Sequence, residues 1–317
     1  MKRVWVYEYL SGGGLLGDDA SAEPELLAAG RSMRDALLAD LLQAQGCRVA
    51  AATTARADAL PPGVAPTRAD AGESPLDFVA RQSAQHDLVW LVAPETGGLL
   101  AQFQRCVPAQ RWLGCDAEAI AIAGSKRATA LRLAAQGLLT PLDFAADPST
   151  RRWVTKPDDG AGAVATLVHA DRSAARDDLA ARTRAGESAV LEAWVEGAAL
   201  SLSLLCKPDG VELLSVNRQH IAIDARGRLS FEGVSFASTP AADPRGAAFE
   251  HVAAKVARAI PGLRGFVGID LVWHDRRGPV VIEVNPRLTC AYVGLSAALG
   301  RNLAGDVLAA HDAEYVK

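Results

Sequence analysis

Apolar residues recur along this chain in two patterns, as short β-branched runs and as stripes with helical spacing. Uninterrupted apolar runs at residues 4–7 and 88–92 are typical of parallel strands that are buried on both faces. Leucines with helical spacing predict a helix over about residues 24–45, and residues 48–53 predict another strand. The Pro- and Ala-rich segment 57–75 predicts a loop. We therefore expect the N-terminal part to be an open α/β unit.

The middle of the chain predicts one helix followed by three extended segments. The helix begins at Lys126, and its predicted inner face consists of small or apolar residues, namely Leu131, Ala134, Ala135 and Leu138. The extended segments are residues 153–157, 164–169 and 189–194. This combination is typical of a small α+β subdomain.

The C-terminal part predicts a second α+β unit. Its predicted strands are residues 200–206, 211–217, 267–273 and 279–284. Its predicted helices lie near residues 244–259 and 301–311. The chain is thus expected to combine α/β and α+β architecture in three units, residues 1–115, 116–198 and 199–317.

Composition and charge exclude several function classes. The chain has 317 residues, half of them apolar, and a net charge of −4 without a long basic stretch, which argues against nucleic-acid binding. Its apolar runs are short and interrupted by charge, so no transmembrane helix is predicted. The strand at residues 4–7 argues against a secretory signal. Five scattered cysteines without CxxC spacing favour reduced thiols in a cytoplasmic protein.

Three oxygen donors stand at fixed offsets in two predicted C-terminal strands. Asp270 lies in the first strand, Glu283 follows thirteen residues later, and Asn285 stands two residues further on. Alternation places Glu283 and Asn285 on one face, and antiparallel pairing through a turn at residues 274–278 brings Asp270 beside them. Two carboxylates and an amide oxygen suit Mg²⁺ that is held together with substrate phosphates. Taken alone, this pattern is weak evidence for a metal site, so the prediction depends on the motifs upstream.

Lys156 ends a predicted strand just before a loop that contains Gly160 and Gly162. Glycine allows backbone N–H groups to approach phosphate oxygens closely, and a nearby lysine offers a compact cation to the same anion. An ordinary hairpin loop with a solvated lysine is the alternative explanation of this segment. The spacing differs from the P-loop pattern, which excludes a Walker-type site.

The segment from Glu192 to Gly197 connects an apolar strand to the alternating strand at residues 200–204. Such a connector between subdomains exposes backbone amides together with two carboxylates. A carbonyl and an N–H group can bind the edge of a purine, while a carboxylate can bind ribose hydroxyls. A linker with solvated glutamates is the alternative interpretation.

Taken together, these elements resemble the ATP-grasp superfamily over about residues 116–290. The matching elements, in order, are Lys126 before a helix that ends in Gly-x-x-Thr-Pro, Lys156-Pro157 with its glycine loop, the hinge from Glu192 to Gly197, and the set Asp270, Glu283 and Asn285. The resemblance implies an ATP-grasp fold with an N-terminal Rossmann-like (pre-ATP-grasp) domain, a small lid subdomain and a C-terminal α+β core. Enzymes of this superfamily include D-alanine–D-alanine ligase and biotin carboxylase, and most activate a carboxylate as an acyl phosphate that a nucleophile then attacks.

The resemblance also implies a role for each matching residue. The ATP site would contain Lys126, Lys156, Gly160, Gly162, Ala163, Glu192, Trp194, Val195 and Glu196. Within it, the two lysines would contact phosphates, residues 160–163 would form a mobile lid, Glu192 would accept from the adenine amino group, and Glu196 or a nearby carboxylate would hold the ribose. Asp270, Glu283 and Asn285 would bind one or two Mg²⁺ ions, with Mn²⁺ as an alternative ion.

One position departs from the pattern of the peptide-forming relatives. These commonly have an arginine two residues before the first magnesium aspartate, where this chain has Gly268. Arg287 is the predicted catalytic residue that stabilises the acyl phosphate, with Arg218 and Arg264 as alternatives, and Lys156 is the second predicted catalytic residue. A surface arginine after a strand is the competing interpretation of Arg287.

The N-terminal glycines suggest a narrower substrate class. Residues 6–14, together with residues 93–95, resemble the subgroup that contains tyramine–L-glutamate ligase, which implies joining tyramine to the γ-carboxylate of L-glutamate. Candidate substrate-binding residues are Glu8, Ser11, Gly12, Gly13, Gly14, Glu95 and Arg218. The glycine N–H groups would hold an anion, and Glu8 or Glu95 would receive an ammonium. A tight turn where the lid docks would explain the same glycines.

The sequence therefore predicts an ATP- and Mg²⁺-dependent ligase that joins a small carboxylate to a small amine. The alternatives are a dipeptide or amino-acid ligase of other specificity and a nucleotide-binding regulatory protein without turnover. The intact residues Lys126, Lys156, Glu283 and Asn285 argue against a regulatory protein. An NAD-linked oxidoreductase is disfavoured because residues 12–14 lack the G-x-G-x-x-G spacing. The two substrates, the number of metal ions and a homodimer are left open.

Overall fold

The chain folds around three β-sheets, and the computed structural model describes residues 1–14, 24–54, 59–160 and 162–315. The N-terminal sheet has the order β3-β2-β1-β4 and all its pairings are parallel. Its strands are β1 (Lys2–Glu8), β2 (Cys47–Ala52), β3 (Ala65–Thr67) and β4 (Leu88–Val92). The predicted α/β unit is confirmed, but the segment 57–75 is not entirely loop, because β3 extends the sheet there.

Helices cover both faces of this sheet, which is why its central strands are apolar throughout. The helices of this part are α1 (Pro24–Gln43), α2 (Pro75–Gln85), α3 (Leu99–Arg105) and α4 (Ala117–Ala123). Alternation turns Val4 and Val6 of β1 towards α1, while Trp5 and Tyr7 share a core with residues of α2 and α3. The carboxyl ends of β1 and β4 therefore lie side by side at one edge of the sheet.

The middle sheet is antiparallel, with the order β6-β5-β7. Its strands are β5 (Trp153–Pro157), β6 (Leu167–His169) and β7 (Ala189–Ala193), accompanied by α5 (Lys126–Ala135) and α6 (Arg172–Arg184). Ser125 caps α5 by accepting from the Ala128 N–H group. The predicted extended segments at residues 153–157 and 189–194 are confirmed, but of the segment 164–169 only residues 167–169 form a strand, because the chain turns at residues 162–165. Helix α6 was not predicted from the sequence.

Of the predicted inner face of α5, only Leu138, just beyond the end of the helix, is buried. Leu131 is exposed, and the residues buried within α5 are Lys126, Thr129, Ala130 and Leu133, which have i, i+3, i+4, i+7 spacing. Because this buried stripe begins with a lysine and a threonine, hydrophobicity alone points to the wrong face. Burial of Lys126 directs its ammonium group towards the C-terminal sheet.

The C-terminal sheet has five antiparallel strands in the order β10-β9-β8-β11-β12. They are β8 (Ala198–Lys207), β9 (Gly210–Ile223), β10 (Leu229–Ser238), β11 (Gly265–His274) and β12 (Gly278–Asn285). The remaining helices are α7 (Gly246–Ala259), α8 (Leu295–Leu299) and α9 (Leu303–Tyr315). Strand β10 was not predicted, and β9 extends beyond its predicted end.

Alternation gives the two faces of this sheet opposite character. Leu200, Leu202 and Leu204 of β8 share a core with Val252 and other residues of α7. The intervening side chains of β8 and β9 are polar yet buried, namely Ser201, Ser203, Ser215 and Asn217. A buried polar face is costly unless its groups are hydrogen-bonded or contact a ligand, so this face is the natural place to look for a site.

Two further observations concern the chain as a whole. Within the described ranges, no helix is both long and apolar enough to cross a membrane. All five cysteines are free thiols.

Candidate active site

The three predicted metal ligands lie together on the polar face of the C-terminal sheet. Strands β11 and β12 pair antiparallel as predicted, with Asp270 opposite Glu283 and Gly268 opposite Asn285. The amide of Asn285 lies 3.2 Å from the Asp270 carboxylate. A bulge follows the Asp270 pair and shifts the register by one residue, a feature that is common beside active sites.

A hydrogen-bonded polar row continues across the sheet from Asp270. Asp270 pairs with Ser201 of β8, which in turn pairs with Asn217 of β9. The Asn217 amide donates to the Ser203 hydroxyl at 3.1 Å, and Gln219 donates to Asp270 at 2.9 Å. The bonds from Gln219 and Asn285 orient the Asp270 carboxylate. Gln219 was missed from the sequence, although its alternation with Asn217 places it on the same face.

The charges of this set fit a bound cation. Burial, together with the charge of the adjacent Glu283, raises the pKa of Asp270 to about 7, although Asn285, Arg287 and Lys126 oppose the increase. Among the described residues, no group of three or more His, Cys, Asp or Glu side chains forms a metal cage. Two carboxylates and one amide instead suit an ion that takes its other ligands from phosphate oxygens.

Lys126 brings a positive charge to the same point. Its Nζ atom lies 3.3 Å from Glu283 and donates to the Gly160 carbonyl at 3.1 Å. The side chain of Asp158 accepts from the Ser125 hydroxyl and the Arg127 N–H group, and its carbonyl accepts from the Lys126 N–H group. Asp158, which was not predicted as a site residue, thus ties the glycine loop to the start of α5.

Lys156 and Glu192 form a buried ion pair between β5 and β7. Their charged atoms lie 2.7 Å apart, and both side chains are less than a tenth exposed. Since each buried charge compensates the other, the pair can exist in the interior. The predicted adenine contact of Glu192 would therefore be made by a carboxylate that also holds Lys156.

The hinge after Glu192 is anchored at both ends. Arg152 lies over the Trp194 ring, 4.8 Å from its centroid, and forms a bidentate pair with the exposed Glu196. Val195 is buried, and the indole nitrogen of Trp194 is buried without a partner in the described part of the chain. Gly197 has φ +147°, and a Cβ there would lie 2.1 Å from the Trp273 carbonyl. Only glycine fits where the hinge crosses β11.

The predicted lid loop contacts the N-terminal unit. Asp159 accepts from the Gly97 N–H group at 2.7 Å, and Gly160 adopts φ +109°. Gly162 and Ala163 also have positive φ. Ala161, which belongs to the predicted lid of residues 160–163, lies outside the described residues. The loop thus joins the N-terminal unit to α5 through two consecutive aspartates, Asp158 and Asp159.

The structure argues against the predicted anion cradle at Gly12, Gly13 and Gly14. The N–H groups of these residues donate to the carbonyls of Glu8, Leu10 and Tyr9 within the same turn. A Cβ on Gly12 or Gly14 would overlap the ring of a neighbouring tyrosine. The glycines therefore allow a tight turn, and their N–H groups are already used. The turn instead supplies the N–H groups of Leu10 and Ser11 to the Glu8 carboxylate.

Arg287 is buried and paired with Glu95, so it is not a surface arginine. Its Nε and Nη2 atoms donate to the two Glu95 oxygens at 2.9 and 3.1 Å. Burial alone would lower the pKa of Arg287, but the charge and hydrogen bonds of Glu95, together with the charge of Glu283, raise it. The structure argues against an ammonium-binding role for Glu95, because both of its oxygens already hold Arg287. This pair links the end of β4 to the metal-ligand set.

The two alternative arginines lie elsewhere. Arg218 is exposed, and alternation places it on the face of β9 opposite to Asn217 and Gln219, which argues against the predicted substrate contact. Arg264 precedes β11 and pairs with Glu314 of α9 at 2.9 Å. Of the three arginines, only Arg287 lies near Asp270.

Comparison with known proteins agrees with this architecture. The ATP-grasp domain profile matches residues 123–291, and the pre ATP-grasp 3 domain profile matches residues 47–120. Tyramine–L-glutamate ligase of Methanocaldococcus fervens is 29% identical over 215 residues, which cover 66% of this chain and 61% of that protein. The ligase of the same name from Methanocaldococcus jannaschii is 29% identical over 216 residues, or 68% of this chain and 60% of that protein. The alignments thus span about three fifths of these relatives.

Solved structures show the same fold along the whole chain. A protein of the ATP-grasp superfamily from Archaeoglobus fulgidus superimposes with a TM-score of 0.69 at 20% identity, covering 98% of this chain and 88% of its own. L-amino acid ligase from Bacillus licheniformis gives a TM-score of 0.64 at 18% identity, covering 99% of this chain and 74% of its own. The ATP-grasp fold predicted from the sequence is confirmed, and the chain belongs to the ATP-grasp family.

Proposed function

We propose that this protein is an ATP- and Mg²⁺-dependent ligase that joins a carboxylate to an amine. The observation that carries the proposal is the convergence of Asp270, Glu283 and Asn285 with the ammonium of Lys126. Carboxylates and a lysine at one point suit a metal-bound polyphosphate, because the metal ion takes the carboxylates and the lysine takes a phosphate oxygen. A second lysine, Lys156, lies at the end of β5 before the glycine loop.

The proposed reaction has two steps. A substrate carboxylate oxygen attacks the γ-phosphorus of ATP, which gives an acyl phosphate and ADP. The amine then attacks the acyl carbon, the C–O bond to phosphate breaks, and an amide, inorganic phosphate and a proton are released. When bound, Mg²⁺ supplies charge neutralisation at the β- and γ-phosphate oxygens.

Each proposed residue has a limited task in this chemistry. Asp270, Glu283 and Asn285 would hold the metal ion, while Lys126 and Lys156 would neutralise phosphate oxygens. Arg287, held in place by Glu95, would stabilise the negative charge of the acyl phosphate. The hinge from Glu192 to Glu196 would bind adenine and ribose. The protein forms no covalent bond to the substrates in this mechanism, so positioning of the reactants and stabilisation of charge account for most of the rate acceleration.

For the substrates, we propose L-glutamate, activated at its γ-carboxylate, and tyramine. The support is the name shared by two relatives that are 29% identical to this chain. An amino-acid ligase of another specificity is the second candidate, favoured by the fold shared with the L-amino acid ligase of Bacillus licheniformis. A nucleotide-binding protein without turnover is disfavoured, because both lysines and all three proposed metal ligands are present.

A screen of ADP release tests this proposal. Purified protein is mixed with ATP and Mg²⁺, and carboxylic acids are crossed against amines, with L-glutamate plus tyramine as the first pair. We expect ADP release that requires both substrates, and mass spectrometry should detect their amide. Release with other pairs only would retain the ligase and reject these substrates. ATP binding without release for any pair would favour the regulatory alternative.

The glycine loop gives a further prediction. Endoproteinase Asp-N cleaves before aspartate, and Asp158 and Asp159 begin the loop. We expect a non-hydrolysable ATP analogue with Mg²⁺ to slow cleavage there at least about tenfold, because loop ordering over bound phosphates suppresses local opening. Cleavage before Asp209, in the turn between β8 and β9, serves as the internal control and should not change. Equal cleavage with and without the analogue would contradict a lid function.

A further inference from the structure

An arginine lies inside the apolar interface between α1 and the N-terminal sheet. The apolar residues of this interface include Val4, Val6, Met33, Leu37, Leu38 and Leu41. Arg34 belongs to the same helix face and is fully buried. A hydrocarbon side chain would cost less free energy at this position, because burying a guanidinium removes it from water. An arginine here therefore calls for an explanation beyond packing.

The guanidinium of Arg34 is only partly satisfied. Its Nε donates to Asp35, the neighbouring and half-exposed residue, at 2.8 Å. Its Nη1 and Nη2 atoms are buried and have no hydrogen-bond partner in the described part of the chain. These two nitrogens are the donors that a planar carboxylate binds in the bidentate manner.

A buried carboxylate lies close by without forming an ion pair with Arg34. Alternation along β1 turns Glu8 towards α1, as it does Val4 and Val6. The Glu8 carboxylate contacts Gly30, one helical turn before Arg34, where a Cβ would lie 2.5 Å from Oε1. Burial raises the pKa of Glu8, and the charge of Arg34 opposes that increase. Even so, no salt bridge within 4.0 Å joins the two among the described residues.

This cation and anion lie at the carboxyl end of a central strand of the N-terminal sheet. Glu8 is the last residue of β1 and pairs with Val92 of β4. Three residues beyond Val92, Glu95 holds Arg287 next to the proposed metal ligands. In open α/β sheets, ligands bind beyond the carboxyl ends of the strands. A molecule held at Glu8 and Arg34 would therefore lie beside the strand that leads to the reacting groups.

We propose that Arg34 and Glu8 form a subsite for the zwitterionic end of an α-amino acid. Arg34 binds the α-carboxylate through Nη1 and Nη2, and Glu8 binds the α-ammonium. An α-amino acid carries these opposite charges on one carbon, which suits a buried cation and anion that do not pair with each other. An inorganic anion would engage Arg34 but leave the negative charge of Glu8 without a cationic partner, because the Leu10 and Ser11 N–H groups that Glu8 accepts from are uncharged. The inference rests on the proposed function, since it makes the activated acid an amino acid whose side-chain carboxylate reacts.

Binding of substrate analogues to the wild-type protein is the first test. Isothermal titration without ATP compares L-glutamate with L-isoglutamine, whose α-carboxylate is an amide, and with glutarate, which lacks the ammonium. We expect each analogue to bind at least about a hundredfold more weakly, because a buried charged group then loses its partner. Equal binding of glutamate and isoglutamine would overturn the proposal. Inorganic phosphate is the control for simple anion binding and should not compete with glutamate.

Substitution of Arg34 is the second test. Arg34→Met keeps an unbranched side chain and suits the apolar interface, so the fold should be retained. We expect it to weaken glutamate binding by about a hundredfold and to remove the preference for glutamate over isoglutamine. Arg176→Met, at an exposed arginine of α6, is the matched control and should bind like the wild type. If the Arg34→Met variant still bound glutamate more tightly than isoglutamine, Arg34 would have only a structural role and the proposal would be rejected.

The outcomes separate this inference from the proposed ligase. Selective glutamate binding without ADP release in any substrate pair would retain the subsite and reject the ligase. ADP release with acids that lack an α-amino group, at rates equal to those with glutamate, would retain the ligase and reject the subsite. Glu8→Gln should reduce the difference in affinity between glutamate and glutarate, because the substitution removes the anion that requires an ammonium partner.

Discussion

Replacing Glu283 with glutamine is expected to lower the turnover number at least about a hundredfold, the scale seen when a group that stabilises developing charge is lost. The substitution keeps the shape of the side chain and removes one negative charge. Glu283 faces both Asp270 and Lys126, so its charge would serve the metal ion and also hold the lysine in place. The loss should appear mainly in kcat, since phosphoryl transfer depends on charge that is present in the transition state.

The control for this prediction lies on the same sheet. Glu232→Gln makes the same chemical change at an exposed position of β10, the strand at the opposite edge from β12. Its turnover should equal that of the wild type. Circular dichroism and the thermal midpoint should show that both variants are folded. Near-normal turnover of Glu283→Gln would remove this residue from the proposed metal site.

Replacing Glu95 with glutamine is expected to cost about 3–5 kcal/mol of unfolding free energy, because it leaves the charge of Arg287 buried and unpaired. Both side chains are at most a tenth exposed. The cost is measured by chemical denaturation, followed by tryptophan fluorescence. The double variant Glu95→Gln/Arg287→Met should recover most of this stability, since it removes the buried charge as well. Its turnover should stay low if Arg287 acts on the acyl phosphate.

An exposed ion pair provides the matched comparison. Glu196 and Arg152 form an equally short pair, but the Glu196 side chain is 63% exposed. Glu196→Gln should therefore cost at most about 1 kcal/mol of unfolding free energy, as is usual for surface pairs. If Glu95→Gln cost no more than this, Arg287 would have another partner or access to water, and its rigid placement beside Asp270 would be refuted.

The two residues of these predictions contribute to the proposed site from different parts of the chain. Glu283 belongs to the C-terminal sheet, while Glu95 belongs to the N-terminal unit and is joined to the C-terminal part through Arg287. The Asp159 contact with Gly97 joins the glycine loop to the same part of the N-terminal unit. The proposed site is therefore assembled from elements of all three sheets, so substitution of a site residue in any of them should affect turnover.

Elements with strong local patterns were predicted well. The pairing of β11 with β12 followed from two apolar segments separated by a short turn, because such a connection permits only antiparallel neighbours. Strand β4 followed from an uninterrupted apolar run. By contrast, α6 was missed because its sequence is rich in arginine and aspartate, and only Ala175 and Arg182 are buried. A helix without an apolar stripe has no periodic signal.

Strands that depend on distant partners were also missed. Strand β3 has three residues, one of them proline, and exists because it pairs with β2. Strand β10 contains Gly233 at a register shift and lies at an edge of its sheet, so its alternation is interrupted and weakly buried. Such segments gain their structure from the neighbouring strand, which a local pattern does not contain.

The residues of the candidate site likewise include some that the sequence identified and others whose role depends on distant parts of the chain. Asp270, Glu283, Asn285 and Lys156 stand next to strand ends and a glycine loop, so sequence motifs alone identified them as candidates. The sequence did not indicate that Glu95 pairs with Arg287, nor that the N–H groups at Gly12–Gly14 are used within their own turn. It also did not distinguish Arg34 from the other arginines, because its unusual feature is burial.

By itself, the sequence determined the ATP-grasp architecture, the order of its motifs and the residue types that bring oxygen ligands and cations to one sheet. These follow from local periodicity and spacing, which a single segment carries within itself. Only the tertiary structure decided which charges are buried, which are paired and which face each other unpaired. Burial and pairing depend on segments that are distant along the chain, as Glu95 and Arg287 are, and their energies arise only when folding removes both partners from water.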